Sequence, residues 1–542
     1  MRVEDTPAGS IKYRAYKLMD MRKLFLLLLP FFVSCAVAQK DNNPEHYSGL
    51  ITEKTTHAHM VALATEDMEG RGTGQEGGRK AADYIAKEFK KYGLKPGVNG
   101  SYFQPVELVQ TAMEVKDFKV NNTSYTYGVD FFIQGQNKEI TIESSEVVFV
   151  GFGIEEDKYN DYRDVDVKGK VALILLDQEP VDASGNSLVT GTKEMSDWTT
   201  NRFKKLQNLI SKQPKMILGF SSTNQETLNK HGVRLTAGRV SLKNDTQELQ
   251  FSDEPSTALI APKILDAILG QEDSYKAYLA KVQQSGKPEP KEINISFAST
   301  FGLNQTDLDD PNVIGVVEGS DKKDEVVVVT AHYDHDGIAQ DGTIFFGADD
   351  NASGTVGVLE VARAFAEAKK KGNGPRRTVV FIAFSAEEKG LLGSDYYVQN
   401  PIYPLEQTMV NINIDMIGRI DDIHLEGNHD YIHAIGASRN SNDLQEINES
   451  INDRYTKLEI DYTYDQEDHP MRLFQRSDQW NFAKHQIPVI FYMSGLHPHY
   501  HTTEDTVDKI NFPVMVQREK LIFHTTWELA NREDSIHQKD TN

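Results

Sequence analysis

The stretch AHYDHDGIAQDGTIFFGADDNASG, residues 331 to 354, holds two histidines and five aspartates between the apolar run EVVVV and the helical pattern TVGVLEVARAFAEAKK. Carboxylate and imidazole groups are the ligand types of divalent cations, and so acidic a loop between two core elements calls for positive charge. Three later segments carry the same residue types. RRTVVFIAFSAEE ends an apolar run at Glu387 and Glu388, MVNINIDMIG ends one at Asp415, and IPVIFYMSG leads into LHPHYHTTEDT with His497, His499 and His501. Each has a plain structural reading when taken singly: a helix cap at Asp349 to Asn351, a solvated glutamate pair, a polar histidine loop. Together they stand at the ends of four successive apolar strands, where ligands of parallel sheets gather. Carboxylates converging there would repel one another unless cations held them.

Counting charge suggests how many cations. Asp349, Glu388 and Asp415 bring three negative charges, with His332 and His501 as neutral imidazole ligands. Two divalent ions leave one positive charge, which a bridging hydroxide balances; this is the recipe for a dinuclear hydrolase. Nitrogen and carboxylate donors suit two Zn²⁺ per chain best, with Co²⁺ or Mn²⁺ as substitutes. The one cysteine, Cys35, excludes an intramolecular disulfide and a thiolate metal site.

The elements that must position these groups follow from periodicity. From NVIGVVEG onward, strand, loop and helix alternate, the mark of an α/β fold with a mixed, mainly parallel sheet flanked by helices. GGRKAADYIAKEFKKYG predicts a helix with Ala81, Ile85, Phe89 and Tyr92 on one face and Gly93 as its C-cap. From about residue 140 to 290, short strands such as SEVVFVGFG and GKVALILL alternate with polar loops and carry no cluster of metal-type residues. The expected organisation is a leader over 1–38, the first part of the catalytic unit over 39–135, a smaller β-rich α+β insert over 136–295, and the main catalytic part over 296–535. A length of 542 residues fits two folded units. A net charge of −23 argues against nucleic acid or an anionic membrane surface as a partner.

The motifs AHYDH, GADDNASG, AEEKGLLGS, NIDMIG and YHTTEDT, in this order, resemble the co-catalytic zinc aminopeptidases of peptidase family M28, over most of residues 300 to 510. EGRGTGQEGGRKAADYIAKEFKKYGLKPG is similar to that fold's N-terminal segment, and GFGIEEDKYNDYRDVDVKGKVALILL resembles the protease-associated (PA) domain often inserted there. The resemblance implies that His332 and Asp415 bind one zinc, that Glu388 and His501 bind the other, and that Asp349 bridges both. Choosing His501 over His497 or His499 rests on the family pattern HTxxDT. Asp334 is implied as the carboxylate orienting His332, and Asp350 as a neighbour of the bridge or a helix cap. Glu387 is the expected general base, since adjacent side chains of an extended segment point opposite ways and Glu387 is free to face the water while Glu388 coordinates. Tyr500 is a candidate donor to the developing oxyanion. Two departures from the pattern are Gln479 in RSDQW and Asp336 in HYDHDG; the latter adds negative charge near the mouth, which would favour basic or free-amine substrate ends.

The implied activity is removal of N-terminal residues from peptide substrates. A carboxypeptidase or dipeptidase of the same fold would read a carboxylate end through arginines, for which Arg419 and Arg472 are candidates. A glutaminyl cyclase would use one zinc and a less complete ligand set, and a non-catalytic scaffold would lack ligands; the full set weighs against both. MRKLFLLLLPFFVSCAVAQK, from Met21, has the layout of a secretory signal whose apolar part is too short to span a bilayer, with residues 1 to 20 as an upstream extension. Cleavage after Ala38 is favoured over lipidation of Cys35 through the imperfect lipobox FVSC. The expected location is periplasmic or extracellular, with a cell-envelope lipoprotein as the variant.

Overall fold

Runs such as EVVVVTAH and RTVVFIAF have no polar alternation, so both faces of these strands must be covered, which requires helices on each side of a sheet. The computed structural model, which describes residues 43 to 539 apart from Gln247 and Gln340, shows this arrangement. In chain order the strands used below are β1 (Phe103–Val120), β2 (Ile140–Phe149), β3 (Val171–Leu175), β4 (Met216–Phe220), β5 (Thr257–Ile260), β6 (Lys291–Val317), β7 (Lys322–His332), β8 (Arg377–Phe384), β9 (Thr408–Ile414), β10 (Tyr431–Ile435), β11 (Glu459–Asp461) and β12 (Val489–Met493). One continuous sheet runs β11-β10-β12-β9-β7-β8-β6-β2-β3-β4-β5. The central strands β12, β9, β7 and β8 are parallel, as are β2 to β5; β6 is antiparallel to both of its neighbours. The fold is therefore mixed and mainly parallel, flanked by helices.

Helix α1 (Glu76–Tyr92) buries Ala81, Ile85, Phe89 and Tyr92 and ends at Gly93 with φ 85°, the left-handed C-cap that its spacing predicts. It packs with α3 (Gly354–Lys370) and α4 (Phe512–Asn531) in the core around β7, β8 and β9. A second core surrounds β2 to β5. The 27-residue β6 and its antiparallel partner β1 join the two, pairing from Phe103↔Val313 to Val120↔Phe297. Met113, Phe118, Phe297 and Phe301 belong to the second core, which therefore takes in residues on both sides of the expected 136–295 segment. Amphipathic helix α2 (Asn224–Thr236) of this middle region precedes the strand Arg239–Leu242, which pairs with β1.

Among the described residues no helix is long and apolar enough to cross a membrane. The leader and Cys35 lie outside the described residues.

Candidate metal centre

Parallel pairing puts the carboxyl ends of β7, β8 and β9 on one edge, so His332, the Glu387–Glu388 pair and Asp415 meet there. His332 closes β7, buried, with Nε2 3.5 Å from Asp415 Oδ1, 3.8 Å from Glu387 Oε2 and 3.6 Å from Asp350 Oδ1. A second group forms around His501: its Nε2 lies 2.6 Å from Asp350 Oδ2 and 3.1 Å from Glu388 Oε1. His335 Nδ1 joins this group, 3.1 Å from Glu388 Oε1 and 3.6 Å from Asp350 Oδ2. Asp350 thus has one oxygen toward each group. Buried His332 Nε2, His335 Nε2, Asp350 Oδ2 and Asp415 Oδ1 have no hydrogen-bond partner. Unsatisfied donors and acceptors aimed at a common space are what a cation would complete.

Asp349 does not join them. Its Oδ1 accepts the Gly418 N–H at 2.7 Å and its Oδ2 lies 3.3 Å from His497 Nε2, on the far side of the loop. The structure thus corrects the expectation that Asp349 bridges: the chain turns between the two aspartates, and it is Asp350, expected only beside the bridge, that faces both groups. The turn is held from several directions. Asp505 accepts the N–H groups of both aspartates at 3.0–3.1 Å, and Asn351 Nδ2 donates to Ile414 O while its Oδ1 accepts the Met416 N–H. Gly347 opens the turn with φ 56°, and a Cβ there would lie 2.2 Å from Asp350 O and 2.4 Å from the His335 ring, so only glycine fits.

Asp334 also takes a different position from the one implied. His332 Nδ1 faces the Asp334 carbonyl at 3.1 Å, and the carboxylate stands 3.8 Å away. That carboxylate instead accepts the Glu387 N–H (3.0 Å), the Glu388 N–H (3.4 Å) and the Thr73 hydroxyl (2.9 Å), which ties the glutamate pair to the end of β7. The glutamates do diverge, Glu387 toward His332 and Asp415, Glu388 toward His335 and His501. Burial raises the Glu387 carboxyl well above the usual range; the His332 ring opposes this, and Glu388 and Asp415 reinforce it. Glu388 goes the other way: burial again raises it, but His501 and His335 outweigh that and hold it well below the ordinary value. His501 is raised to about 10 because Glu388 and Asp350 overcome its burial.

Several supporting residues had no signal in the motifs. Arg71, buried in EGRGTG, donates to the carbonyls of Leu63, Tyr333, Phe346 and Gly347, so it clamps both sides of the acidic loop; burial lowers it to about 10. Arg234 comes from α2 of the middle region. Its Nε is 2.8 Å from Asp336 Oδ1, and its Nη2 is 2.7 Å from Glu388 Oε2 and 3.1 Å from His501 Nε2. Asp336 therefore does not offer a free negative charge at the mouth, as its position in the sequence suggests, because the guanidinium offsets it. Arg419 and Arg472, the candidates for reading a carboxylate, are engaged elsewhere, with His499 and Gln475 respectively. Gln479 accepts from Asn413 and donates to Phe474 O, inside the core beneath the site.

A small cavity adjoins the glutamates, walled by Met416, Leu473, Phe491, Met493 and Leu496, with Tyr500 and Arg476 on its rim. The Tyr500 ring stacks on His501 at 3.7 Å, and its hydroxyl accepts from Arg476 Nη2 at 3.4 Å.

Known proteins resemble parts of this chain. Aminopeptidase YwaD of Bacillus subtilis is 29% identical over 232 residues, 41% of this chain and 45% of that protein. A probable glutamate carboxypeptidase of Arthroderma benhamiae is 35% identical over 115 residues, 21% of this chain and 15% of that protein. The chain spans less than half the length of these two curated relatives. Among solved structures, BSAP, a zinc aminopeptidase from Bacillus subtilis, shares the fold with a TM-score of 0.51 at 19% identity, over 89% of this chain and 96% of that one. Residues 312–526 match the model of Peptidase family M28, a span that runs from β6 into α4 and holds every residue of both donor groups. Over this segment the chain is similar to peptidase family M28.

Proposed function

We propose that the protein is an exported, zinc-dependent aminopeptidase that removes apolar residues from the N-termini of peptides. The observation that carries this reading is the carboxylate of Asp350 shared between two groups of imidazole and carboxylate donors, with His332 Nε2, Asp350 Oδ2 and Asp415 Oδ1 buried and unsatisfied. The donors suit two zinc ions, one of which would be held by His332 and Asp415 and the other by Glu388 and His501, with Asp350 shared between them. When bound, such a pair lowers the pKa of a shared water and polarises the scissile carbonyl.

The chain supplies the rest. Glu387 Oε2 faces the same space as His332 Nε2; it takes the proton of the attacking water and delivers it to the departing amine, a task served by a carboxyl raised toward neutrality. Tyr500, which lines the same cavity, donates its hydroxyl to the carbonyl oxygen as charge develops. The apolar cavity walls receive the side chain of the first residue, and the carboxylates that line the cavity draw the free α-ammonium. Arg71, Asp334 and Asp505 hold the loops in place. The middle region acts as a PA-like insert whose helix α2 closes one side of the site. Export rests on the leader pattern of residues 21 to 38, with Cys35 as the lipid anchor if the lipobox is used instead.

Arg476 on the cavity rim favours a second reading, a dipeptidase or carboxypeptidase that pairs a substrate carboxylate with this guanidinium. Purified, zinc-loaded protein offered leucine anilide, its N-acetyl form and an N-acetylated dipeptide decides between them. Cleavage of the free-amine anilide alone supports the aminopeptidase; cleavage of the acetylated dipeptide alone would replace it.

A further inference from the structure

Away from the centre just described, two imidazoles and two carboxylates close a ring at the sheet edge. Asp421 and His424 lie in the loop after β9, His433 in β10 and Asp461 at the end of β11. His424 Nδ1 is 2.7 Å from Asp421 Oδ1, and His433 Nε2 is 2.7 Å from Asp421 Oδ2. The opposite nitrogens of both rings face the other carboxylate: His424 Nε2 is 3.4 Å from Asp461 Oδ2, and His433 Nδ1 is 3.4 Å from Asp461 Oδ1. Asp421, His424 and His433 are buried, and one donor atom from each lies within 4.8 Å of the others.

We propose that Asp421, His424 and His433 form a third metal site, a structural zinc site, with Asp461 orienting both imidazoles from behind. A histidine that binds a metal through one ring nitrogen commonly gives its other N–H to a carboxylate, which fixes the tautomer and presents the lone pair to the ion. Here a single carboxylate faces the outer nitrogens of both rings, 3.4 Å from each. It does so because β11 pairs with β10 in the register His433↔Asp461. Buried His433 Nδ1 has no hydrogen-bond partner, and an ion on Nε2 would fix the tautomer of this ring.

Charge balance points the same way. Two carboxylates with two neutral imidazoles leave two negative charges in a buried place, which one divalent ion offsets. Two imidazoles with a carboxylate using both oxygens complete a four-coordinate set suited to zinc. The rings are already locked: His424 stacks on Tyr431 at 3.5 Å and 11°, and Tyr464 lies 4.5 Å from His433.

The site would fasten the catalytic loops. The Asp421 N–H donates to the Tyr431 hydroxyl, which donates to Ser494 O, and the Ser494 N–H donates to Met416 O. The loop that begins at Asp415 and the segment that leads to His501 are thereby tied to the same point.

The test counts zinc by mass spectrometry in the full chain after equilibration and gel filtration. Wild type should hold three ions, and His332→Ala/His501→Ala, which empties the catalytic centre, should keep one. Adding His433→Ala should remove that last ion. EDTA should lower the melting temperature of the double variant and leave the triple variant unmoved. Should the triple variant fail to fold, Co²⁺ added to the double variant should give the visible absorption of a four-coordinate ion. A folded double variant that takes up neither zinc nor cobalt would overturn the site and leave a proton-shared ring.

Discussion

Oδ2 of Asp350 lies 2.6 Å from Nε2 of His501, while the carboxylate of Asp349, one residue earlier, binds the Gly418 N–H on the other side of the loop. On the proposed reading the two neighbours separate metal binding from loop architecture. Asp350→Asn should lose zinc from the catalytic centre and reduce kcat/KM by at least about 10³-fold, since it removes the ligand shared by both ions. Asp349→Asn should keep that zinc and cost only about 1 kcal/mol of stability, the worth of one weakened buried hydrogen bond. Metal analysis beside steady-state kinetics checks both; the reverse pattern would restore Asp349 as the bridge.

In the proposed mechanism Glu387 carries the proton and holds no metal. Glu387→Gln is expected to lower kcat by about 10² to 10⁴-fold, the usual worth of a general base, while zinc content stays near that of wild type. A variant that keeps substantial kcat would move the proton transfer to another group.

Arg234 reaches Glu388 from the middle region and would compete with a cation for that carboxylate. Arg234→Gln should tighten zinc binding at the Glu388–His501 position several-fold in competition with a chelator. It should also cost about 1–3 kcal/mol, because buried Asp336 loses the guanidinium. Unchanged zinc affinity would show that the arginine has no part in the centre.

Asp161, in the middle region, is fully buried and pushed up to about 7 by that burial, against the pull of the Ile154 N–H on its Oδ2. Its unfolded-state value is 3.8. Between these limits the folded chain keeps a proton that the unfolded chain has lost. Stability therefore falls as pH rises from about 4 to about 7 and then levels off. Asp161→Asn, which never ionises, should gain stability over wild type progressively through that range, by up to about 4 kcal/mol at pH 8. Denaturant melts at pH 4 and pH 8 check this; an equal difference at the two would contradict it.

What could be foreseen divides along physical lines. Strand ends were legible because unbroken runs of β-branched residues mark strands buried on both faces, and acidic or imidazole residues just past them have few structural reasons to be there. His332, Glu387, Glu388 and Asp415 were placed on that ground. Which of Asp349 and Asp350 points inward was not legible, because the backbone between them is irregular and no periodicity governs it; Asp505, over 150 residues away, sets the turn. His335 read only as part of a motif, although its ring enters the second donor group. Arg234 had no signal at all, since its approach depends on how α2 packs, and nothing local in NQETLNKHGVRLT announces it. The strands of the middle region were legible, but not where its core begins, because β1 and β6 run through both cores without a break.

The account stands on a pair of cations gathered by Asp350. A crystal of the zinc-loaded protein, measured on both sides of the zinc absorption edge, tests it most directly. It predicts two anomalous peaks about 3.5 to 4 Å apart, one on each side of the Asp350 carboxylate, the first beside His332 and Asp415 and the second beside Glu388 and His501. A map with no peak at Asp350, or with both peaks at Asp349, would contradict it.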